Sequence, residues 1–409
     1  MTQVANELNV SGRTAGWLTG LLALPSAVTT MNAGAGLLCI GAVMVLSAQS
    51  GQELKNNLAN PLLLNVATLK QMAYVAIALF TMVCVSRIDY RWFGQPWWLG
   101  VRPTTWLLVA SGALVGLTLV KGVGLEFNGA RRWLSLGMGV TFQPSELAKI
   151  ALVLWLSERF GSGRVSVRGF WLGLLPAGIV MTGLCGLVAK EDFGTAALMA
   201  LVSLGLLTAA GMHLFYLVLL TGGAAGGVYT LIVIEPYRVE RLKAHKDIWA
   251  DAMGRGYQAV QSLLAIAGGG WAGVGFGAGM QKFGYLPEAQ SDFIFATICE
   301  EMGVFGALII IILFAVIVWQ GACIVASCRD DFGRLAGFGI ALTVGLQAAM
   351  NIAVVTVLVP TKGISLPLVS AGGTSLIVTA AAVGLLASIA KRAAADAADG
   401  NGESIIVSR

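Results

Sequence analysis

Residues Val304–Val325 read VFGALIIIILFAVIVWQGACIV, a run of 22 residues without a charged side chain. A helix needs roughly 20 mainly apolar residues to cross the hydrocarbon core of a bilayer. Because lipid offers no hydrogen-bond partners, such a segment must pair its own backbone N–H and C=O groups, as a helix does. The run therefore predicts a transmembrane helix.

The composition of the whole chain agrees with this run. The chain has 409 residues, of which 57% are hydrophobic and only 11% are charged, whereas about 25% of the residues of a typical soluble domain are charged. So little charge cannot cover a soluble protein of this size. Outward from Val304–Val325, nine more apolar runs predict membrane helices: Thr29–Ser47, Met72–Ser86, Thr105–Val120, Pro144–Leu156, Phe170–Val188, Thr195–Ala210, Leu214–Val233, Leu335–Val357 and Ser375–Ala390.

The predicted fold is all-α: a polytopic membrane protein with about ten transmembrane helices and a large outer loop, 235–291, between spans seven and eight. Residues 1–28 are expected to form a cytoplasmic segment with a candidate interfacial helix at Trp17–Leu24, residues 29–390 the membrane domain, and residues 391–409 a disordered cytoplasmic tail. The even number of spans puts both termini on one side. Because the short inner connections are rich in arginine, the positive-inside rule predicts that this side is the cytoplasm.

Composition also excludes several function classes. The net charge of +5 is spread over loops without a basic run that contains aromatic residues, so no nucleic-acid partner is expected. The six cysteines form no CxxC pair and predict neither a zinc site nor a disulfide framework. The two histidines, His213 and His245, are too few for a histidine-based metal cluster. They fall on opposite sides of the predicted membrane, which argues against a serine–histidine–acid triad.

Four regions are unusually polar for a membrane chain, and the predicted topology places all of them on the outer side. They are NGARRW at 128–133 with QPSELAK at 143–149, KEDFGT at 190–195, YLPEAQSDF at 285–293 and PTKGISLPLVS at 360–370. Charges close to a membrane interior are costly and are usually functional. We therefore expect the functional site at these regions.

The charged residues of these regions each have two interpretations. Glu146 and Lys149 share one helical face and form either a structural ion pair or a functional one. Arg131 and Arg132 present planar donor groups that fit phosphate, or they extend to lipid headgroups. Asp292 lies between a turn with a proline and an apolar run. A partly desolvated carboxylate there suits a general base, and an aspartate that caps the next helix fits equally.

At these regions the chain resembles the SEDS family of membrane proteins, which includes FtsW, RodA and SpoVE. The motifs NGARRW, FQPSELAK, YLPEAQSDFIFA and PTKGISLPLVSAGG occur in the family's order and spacing, and the resemblance extends from the first span to the tenth. Members of the family are ten-span glycosyltransferases that polymerise lipid II into glycan strands, with a class B penicillin-binding protein as partner. The resemblance implies that Asp292 is the catalytic aspartate and that Glu146 and Lys149 are the family's Glu and Lys of the fourth span.

The chain departs from the family pattern at two places. Lys190-Glu191 replaces the usual Gln-Pro before Asp192, and Ala371 replaces the usual tyrosine after Ser370. A contact made by that tyrosine ring is therefore not expected in this chain.

The predicted site has one catalytic residue, Asp292, and ten substrate-binding residues: Arg131, Arg132, Glu146, Lys149, Asp192, Pro287, Glu288, Ser291, Lys362 and Ser370. The implied reaction is inverting glycosyl transfer. Asp292 takes the proton of the attacking sugar hydroxyl, and Arg131, Arg132 or Lys149 stabilises the charge on the leaving pyrophosphate. The sequence requires no cofactor, although a divalent cation, Mg²⁺ or Mn²⁺, could share that task.

PTKG at 360–363 resembles the division and sporulation branch of the family, because the elongation branch tends to lack the lysine matched by Lys362. Lys362 could meet a pyrophosphate, an acidic loop of a partner, or lipid headgroups. We therefore expect a septal role in the inner membrane, with a division transpeptidase and other division membrane proteins as partners.

Two other function classes stay open: a lipid II flippase and a non-catalytic division scaffold. A transporter should hold polar residues near the bilayer midplane, often on broken helices in both halves. The polar regions here cluster at one face, which favours an enzyme. Glu300 and Glu301, shortly after the third region, are expected on a solvated or interfacial face.

Overall fold

The computed structural model describes residues 25–56, 66–127, 129–137, 140–234 and 236–407. The interfacial helix expected at Trp17–Leu24 lies outside the described residues.

Ten long helices cover the ten predicted spans in the part of the chain that the structure describes. They are α1 (Ala27–Asn56), α2 (Val66–Arg87), α3 (Pro103–Thr118), α4 (Pro144–Gly161), α5 (Leu175–Glu191, after one π-helical turn Phe170–Leu174), α6 (Phe193–Ala209), α7 (Leu214–Ile234), α10 (Ile294–Ser327), α11 (Asp331–Val355) and α12 (Gly373–Val407). Six of them are long and apolar enough to cross a membrane, and α3, α6 and α7 add shorter apolar stretches. The predicted all-α, multi-pass membrane fold is confirmed.

The predicted outer loop 235–291 is about half helical in its described residues. It contains α8 (Pro236–Lys246), α9 (Tyr257–Gly269) and a 3₁₀ turn at Gln281–Phe283. The buried face of α9 packs on α10 and α11. The segment is therefore a folded cap on the bundle.

The last helix continues well past the predicted end of the tenth span at Ala390. It runs to Val407, so the disorder expected for the tail is wrong for residues 391–407. Five of the seven residues from Ala393 onward are alanine, and alanine has the highest helix propensity. The low hydrophobicity of the tail did not predict its structure, because residues of high helix propensity can extend a helix that is already formed.

A small antiparallel sheet lies between α3 and α4 and was not predicted. Its strands are β1 (Gly124–Phe127), β2 (Ala130–Ser135) and β3 (Thr141–Phe142), in the order β1-β2-β3. β1 and β2 therefore form a hairpin whose second strand carries residues 130–133 of the NGARRW motif, with Arg131 opposite Glu126 in the register.

The helix α10 begins ten residues before the predicted span, at Ile294. Its 34 residues would extend about 51 Å as one straight helix, far more than the about 30 Å of a hydrocarbon core. Gly303 interrupts the helix with φ 66° and ψ −162°. The helix thus has a short first half, Ile294–Met302, and a second half that is long enough to span the membrane.

The glycine-rich loop that follows α9 closes over this break. The N–H groups of Val274 and Gly275 donate to the carbonyl oxygens of Glu300 and Glu301, at 3.0 and 3.1 Å. Kinks free carbonyls from the helical ladder, and buried carbonyls need other donors. The loop supplies those donors for the break at Gly303.

Glu300 and Glu301 lie under this loop, so the expected solvated face is wrong. Their exposed fractions are 5% and 1%. Glu301 pairs with Lys282 (Nζ to Oε1, 3.0 Å) and accepts from the Ser47 hydroxyl of α1 at 2.8 and 2.7 Å. Glu300 accepts from the N–H of Met280 at 2.7 Å. A cation and nearby donors offset the cost of burying these carboxylates, and none of these partners is close in sequence.

The ends of the helices meet in two groups. At one end, here called the site end, Ser375 at the start of α12 donates to Glu146 at the start of α4 at 3.0 Å. At the opposite end, Arg392 of α12 pairs with Asp89, which follows α2, at 2.8 Å. The four polar regions all lie at the site end, as the alternation of the spans predicts.

Candidate active site

Asp292, the predicted catalytic residue, lies at the site end, two residues before α10. The N-cap of α10 is Phe293, so Asp292 does not cap this helix and that interpretation is wrong. The side-chain amide of Asn351 donates to the backbone carbonyl of Asp292 at 2.7 Å. A Cβ on Gly363 would stand 2.9 Å from Asp292 Oδ2. The carboxylate is therefore packed directly against the backbone of the PTKG segment.

The surroundings of Asp292 favour its protonated form more than water does. Burial raises the pKa of Asp292 to about 7, and the nearby carboxylates of Glu288 and Asp192 add to the rise, while Arg132 opposes it. A general base is most effective when its pKa lies near the working pH. At neutral pH this carboxylate can both accept and release a proton.

The two arginines of the hairpin point to different partners, because successive side chains of a strand face opposite ways. Arg131 donates from Nε and Nη2 to Glu126 at 3.0 and 2.9 Å. Arg132 donates from Nε to the carbonyl of Glu191 at 2.7 Å, and its Nη1 would stand 3.8 Å from a Cβ on Gly363. Arg132, and not Arg131, therefore shares the surroundings of Asp292.

Asp192 and Lys362 flank Arg132. Asp192 caps α6: Oδ1 accepts from the N–H of Thr195 at 3.0 Å and Oδ2 from its hydroxyl at 2.8 Å. Its Oδ2 also lies 3.7 Å from Arg132 Nη1. The Lys362 ammonium lies 4.3 Å from the ring centre of Phe193, the first residue of α6. The cap thus orients Arg132, and the ring holds the lysine at the site end.

Glu146 and Lys149 form a buried ion pair in the first turns of α4. Glu146 Oε1 lies 2.9 Å from Lys149 Nζ, and their side chains are 5% and 4% exposed. Lys149 also donates to Gln347 of α11 at 2.6 Å, and Gln347 in turn donates to the carbonyl of Ser365 at 3.0 Å. With the bond from Ser375 to Glu146, the pair joins α4, α11, α12 and the PTKG segment.

The turn before Asp292 is held by internal hydrogen bonds. Ser291 donates to the Glu288 carboxylate at 2.7 Å, and Glu288 follows Pro287 with a left-handed φ of 56°. The Ser370 hydroxyl donates to the Ser291 carbonyl at 2.6 Å and accepts from the N–H of Leu366 at 2.7 Å. Ser370, predicted to bind substrate, therefore uses its hydroxyl to fix this turn.

The sequence profile of a family described as cell cycle protein, FtsW/RodA/SpoVE, matches residues 29–395 of the chain. The chain belongs to this family. The family predicted from the motifs is thereby confirmed.

Named relatives of the FtsW/RodA/SpoVE family resemble the chain over most of its length. A probable peptidoglycan glycosyltransferase FtsW of Hahella chejuensis is 37% identical over 328 residues, 79% of this chain and 81% of that protein. Stage V sporulation protein E of Bacillus subtilis is 34% identical and matches 79% of this chain and 86% of its own length.

Solved structures of the family share the fold. A chain of a peptidoglycan synthase complex that coordinates polymerization and crosslinking has a TM-score of 0.67 at 27% identity, over 88% of this chain and 97% of that one. Rod shape determining protein RodA of Thermus thermophilus has a TM-score of 0.61 at 25% identity, over 88% and 95% of the two chains.

Three residues of the site were missed by the sequence analysis. Asn351 and Gln347 lie four residues apart on α11 and reach the Asp292 loop and the PTKG segment. Gly363 lies against the Asp292 carboxylate. Two amides on one face of an apolar span are a signal that could have found the first two, because polar side chains within spans are usually functional.

A small cavity opens beside Arg132, between the hairpin and the ends of α3, α4 and α5. Its volume is about 20 Å³ and its polar wall includes Arg131, Arg132, Glu191 and Asp192. A water molecule needs about 10–15 Å³ of such space and two or more polar partners. The cavity can therefore keep the guanidinium of Arg132 hydrated.

Proposed function

We propose that the chain is a peptidoglycan glycosyltransferase that polymerises lipid II into glycan strands for septal wall synthesis. The observation that carries the proposal is Asp292: a partly buried carboxylate whose pKa is about 7, facing Arg132 across Gly363. Relatives in the same family are named as peptidoglycan glycosyltransferases, which supports this substrate class.

The proposed reaction needs one base and one anion-stabilising group. A hydroxyl of the acceptor sugar attacks the anomeric carbon of the donor, the Asp292 carboxylate takes the hydroxyl proton, and the bond from that carbon to the lipid pyrophosphate breaks. Inversion follows from this single displacement. One carboxylate suffices because a pyrophosphate is a good leaving group, whereas a glycosidase needs a second acid to protonate the leaving oxygen.

Arg132 and Lys362 are the cations placed to meet the pyrophosphate. The Arg132 side chain is 32% exposed, and Lys362 is partly buried at the same end of the bundle. Arg131 is engaged by Glu126, and Lys149 is buried with Glu146 and Gln347. We therefore assign phosphate recognition to Arg132 and Lys362. Of the four cations predicted as candidates for the pyrophosphate, Arg131 and Lys149 are left out.

A divalent cation stays a prediction. Among the described residues, no three His, Cys, Asp or Glu side chains come together in the manner of a metal site. Mg²⁺ commonly uses one or two carboxylates together with substrate phosphates, so a cation that arrives with the pyrophosphate fits this donor set.

The alternatives are a flippase and a division scaffold. The broken helix α10 is a feature that transporters share, and it is the observation that favours a flippase. However, the charged residues of the site lie at one end of the bundle: Glu146 is in the first turn of α4 and Arg132 is on β2. A scaffold needs no carboxylate of raised pKa.

The proposed setting is the bacterial inner membrane, with the site end outside and both termini in the cytoplasm. The arginine-rich connections lie at the opposite end, in agreement with the positive-inside rule. A class B penicillin-binding protein is the proposed crosslinking partner, because a structural relative belongs to a complex that coordinates polymerization and crosslinking. Other division membrane proteins are expected around this pair at the septum.

Incubation of the purified chain and its partner with labelled lipid II tests the activity. We expect glycan strands from the wild type and a loss of about 10²–10⁴-fold for Asp292→Asn, because an amide cannot accept the proton. Polymerisation by the variant at the wild-type rate would contradict the catalytic role. If the protein flips lipid II and no preparation of it polymerises lipid II, the transporter interpretation is favoured.

Cysteine labelling in whole cells tests the orientation. In a chain whose native cysteines are replaced, Met253→Cys in the cap should react with an impermeant thiol reagent, since Met253 is 87% exposed. Ser162→Cys, after α4 at the opposite end, should react only after lysis. The reverse pattern would place the site in the cytoplasm.

A further inference from the structure

Asn351 of α11 is fully buried and its side-chain amide binds two backbone carbonyls. The Nδ2 atom donates to the carbonyl of Asp292 and to the carbonyl of Ile364, each at 2.7 Å. The exposed fraction of the residue is 0%. Because both partners are acceptors, the NH₂ group must face them, so the orientation of the amide is fixed by chemistry.

The two carbonyls belong to the two segments that meet at the site. Asp292 ends the outer cap, and Ile364 follows Gly363, the residue against which the Asp292 carboxylate packs. Asn351 therefore sets the register between the carboxylate and the PTKG backbone. Ser370 donates to the carbonyl one residue earlier, that of Ser291, whereas Asn351 donates to the carbonyl of Asp292 itself.

We propose that Asn351 is a positioning residue for the transferase reaction: its amide clamps the backbone of Asp292 to Ile364 and so holds the carboxylate over Gly363 beside Arg132. This inference rests on the proposed function. Asn351 does not touch the substrate and acts through Asp292.

The environment of the carboxylate depends on this clamp. Three charged groups face Asp292: Glu288 from its own turn, Asp192 from the start of α6, and Arg132 from β2. Without the amide, two buried carbonyls lose their donor, which is unfavourable until water reaches them. Water beside Asp292 would stabilise its ionised form, so the pKa of the carboxylate would fall.

The test compares Asn351→Ala with a matched control, Ser262→Ala. Ser262 of α9 is also fully buried, and its hydroxyl donates to the Val355 carbonyl on α11 at 2.7 Å, away from Asp292. Rates are measured with labelled lipid II and the partner, per amount of monodisperse protein, across pH 5.5–8.5. Hydrogen exchange of the peptide that contains residues 286–293 is measured in parallel.

We expect Asn351→Ala to lower kcat about 10²-fold, as a misplacement of about 1 Å does, with little change in KM. The acid limb of its rate profile should move to lower pH, and the 286–293 peptide should exchange faster. Ser262→Ala should keep the wild-type profile. Asn351→Ser, which keeps one donor, should have an intermediate rate.

Other outcomes overturn the inference. If Asn351→Ala matches Ser262→Ala in rate, pH profile and exchange, Asn351 does not position Asp292. If neither Asn351 variant can be obtained folded while Ser262→Ala can, Asn351 is a folding residue only. If the wild type itself does not polymerise lipid II, the proposed function fails and the inference fails with it.

Discussion

The buried pair Glu146–Lys149 has a structural and a functional interpretation, and Lys149→Met separates them. Methionine is unbranched like lysine and nearly as long, but it has no charge. The carboxylate of Glu146 is then buried with only the Ser375 hydroxyl at 3.0 Å. Removing one partner of a buried ion pair typically costs about 3–5 kcal/mol. We expect the free energy of unfolding to fall by that amount.

The double variant Glu146→Gln with Lys149→Met decides the matter. It has no buried charge at this position, and replacing a buried pair by neutral residues is often neutral for stability. The glutamine can still accept a hydrogen bond from Ser375. If the pair only joins helices, the double variant should regain both wild-type stability and most of the polymerisation rate.

The assay is unfolding of the purified chain in mixed micelles of neutral detergent and sodium dodecyl sulfate, together with polymerisation of labelled lipid II. Phe160→Ala, at the opposite end of α4, serves as a control for general weakening of that helix. A double variant that is as stable as the wild type and yet inactive would refute the structural interpretation. At least one member of the pair would then take part in the reaction itself.

Three further predictions concern the same end of the molecule. Asp292 is ionised above its pKa of about 7. At pH 6, kcat/KM should therefore be about one tenth of the plateau that it reaches at higher pH. A kcat/KM that stays constant from pH 5.5 to 8 would contradict the general-base role. Gly363→Ala places a methyl group 2.9 Å from Asp292 Oδ2. Because the carboxylate must then move, the polymerisation rate should fall at least about tenfold. The control Gly372→Ala, whose Cβ meets its nearest neighbour at 3.6 Å, should retain activity. Val357 follows the C-cap of α11, Thr356, and has a left-handed φ of 58° that favours glycine. Val357→Gly should therefore raise the free energy of unfolding by about 1 kcal/mol in the micelle assay. An unchanged or lower value would show that the backbone there is not strained.

The spans were predictable because each must be apolar enough for lipid regardless of its neighbours. The first half of α10 was not, because Glu300 and Glu301 interrupt the apolar pattern. Of the groups that pair with Glu301, the Lys282 ammonium lies 19 residues away in the chain and the Ser47 hydroxyl 254 residues away. Partners brought together only by the fold leave no local pattern.

The sequence was sufficient to predict which residues belong to the candidate site, but less so to predict how their side chains are arranged. The motifs identified Asp292, but they could not choose between Arg131 and Arg132, because that choice depends on an unpredicted strand whose side chains alternate. Asn351 is hidden in an apolar span, and its role follows only from which carbonyls it meets.

The break at Gly303 has a consequence for how the protein is made. The second half of α10 is apolar enough to enter the bilayer by itself, but the first half carries two carboxylates that become neutralised only after the cap with Lys282 has folded back. One of their partners, Ser47, was synthesised 254 residues earlier. Burial of Glu301 needs α1, the cap and the first half of α10 together, so this part of the fold can form only after residues 47–301 have been synthesised.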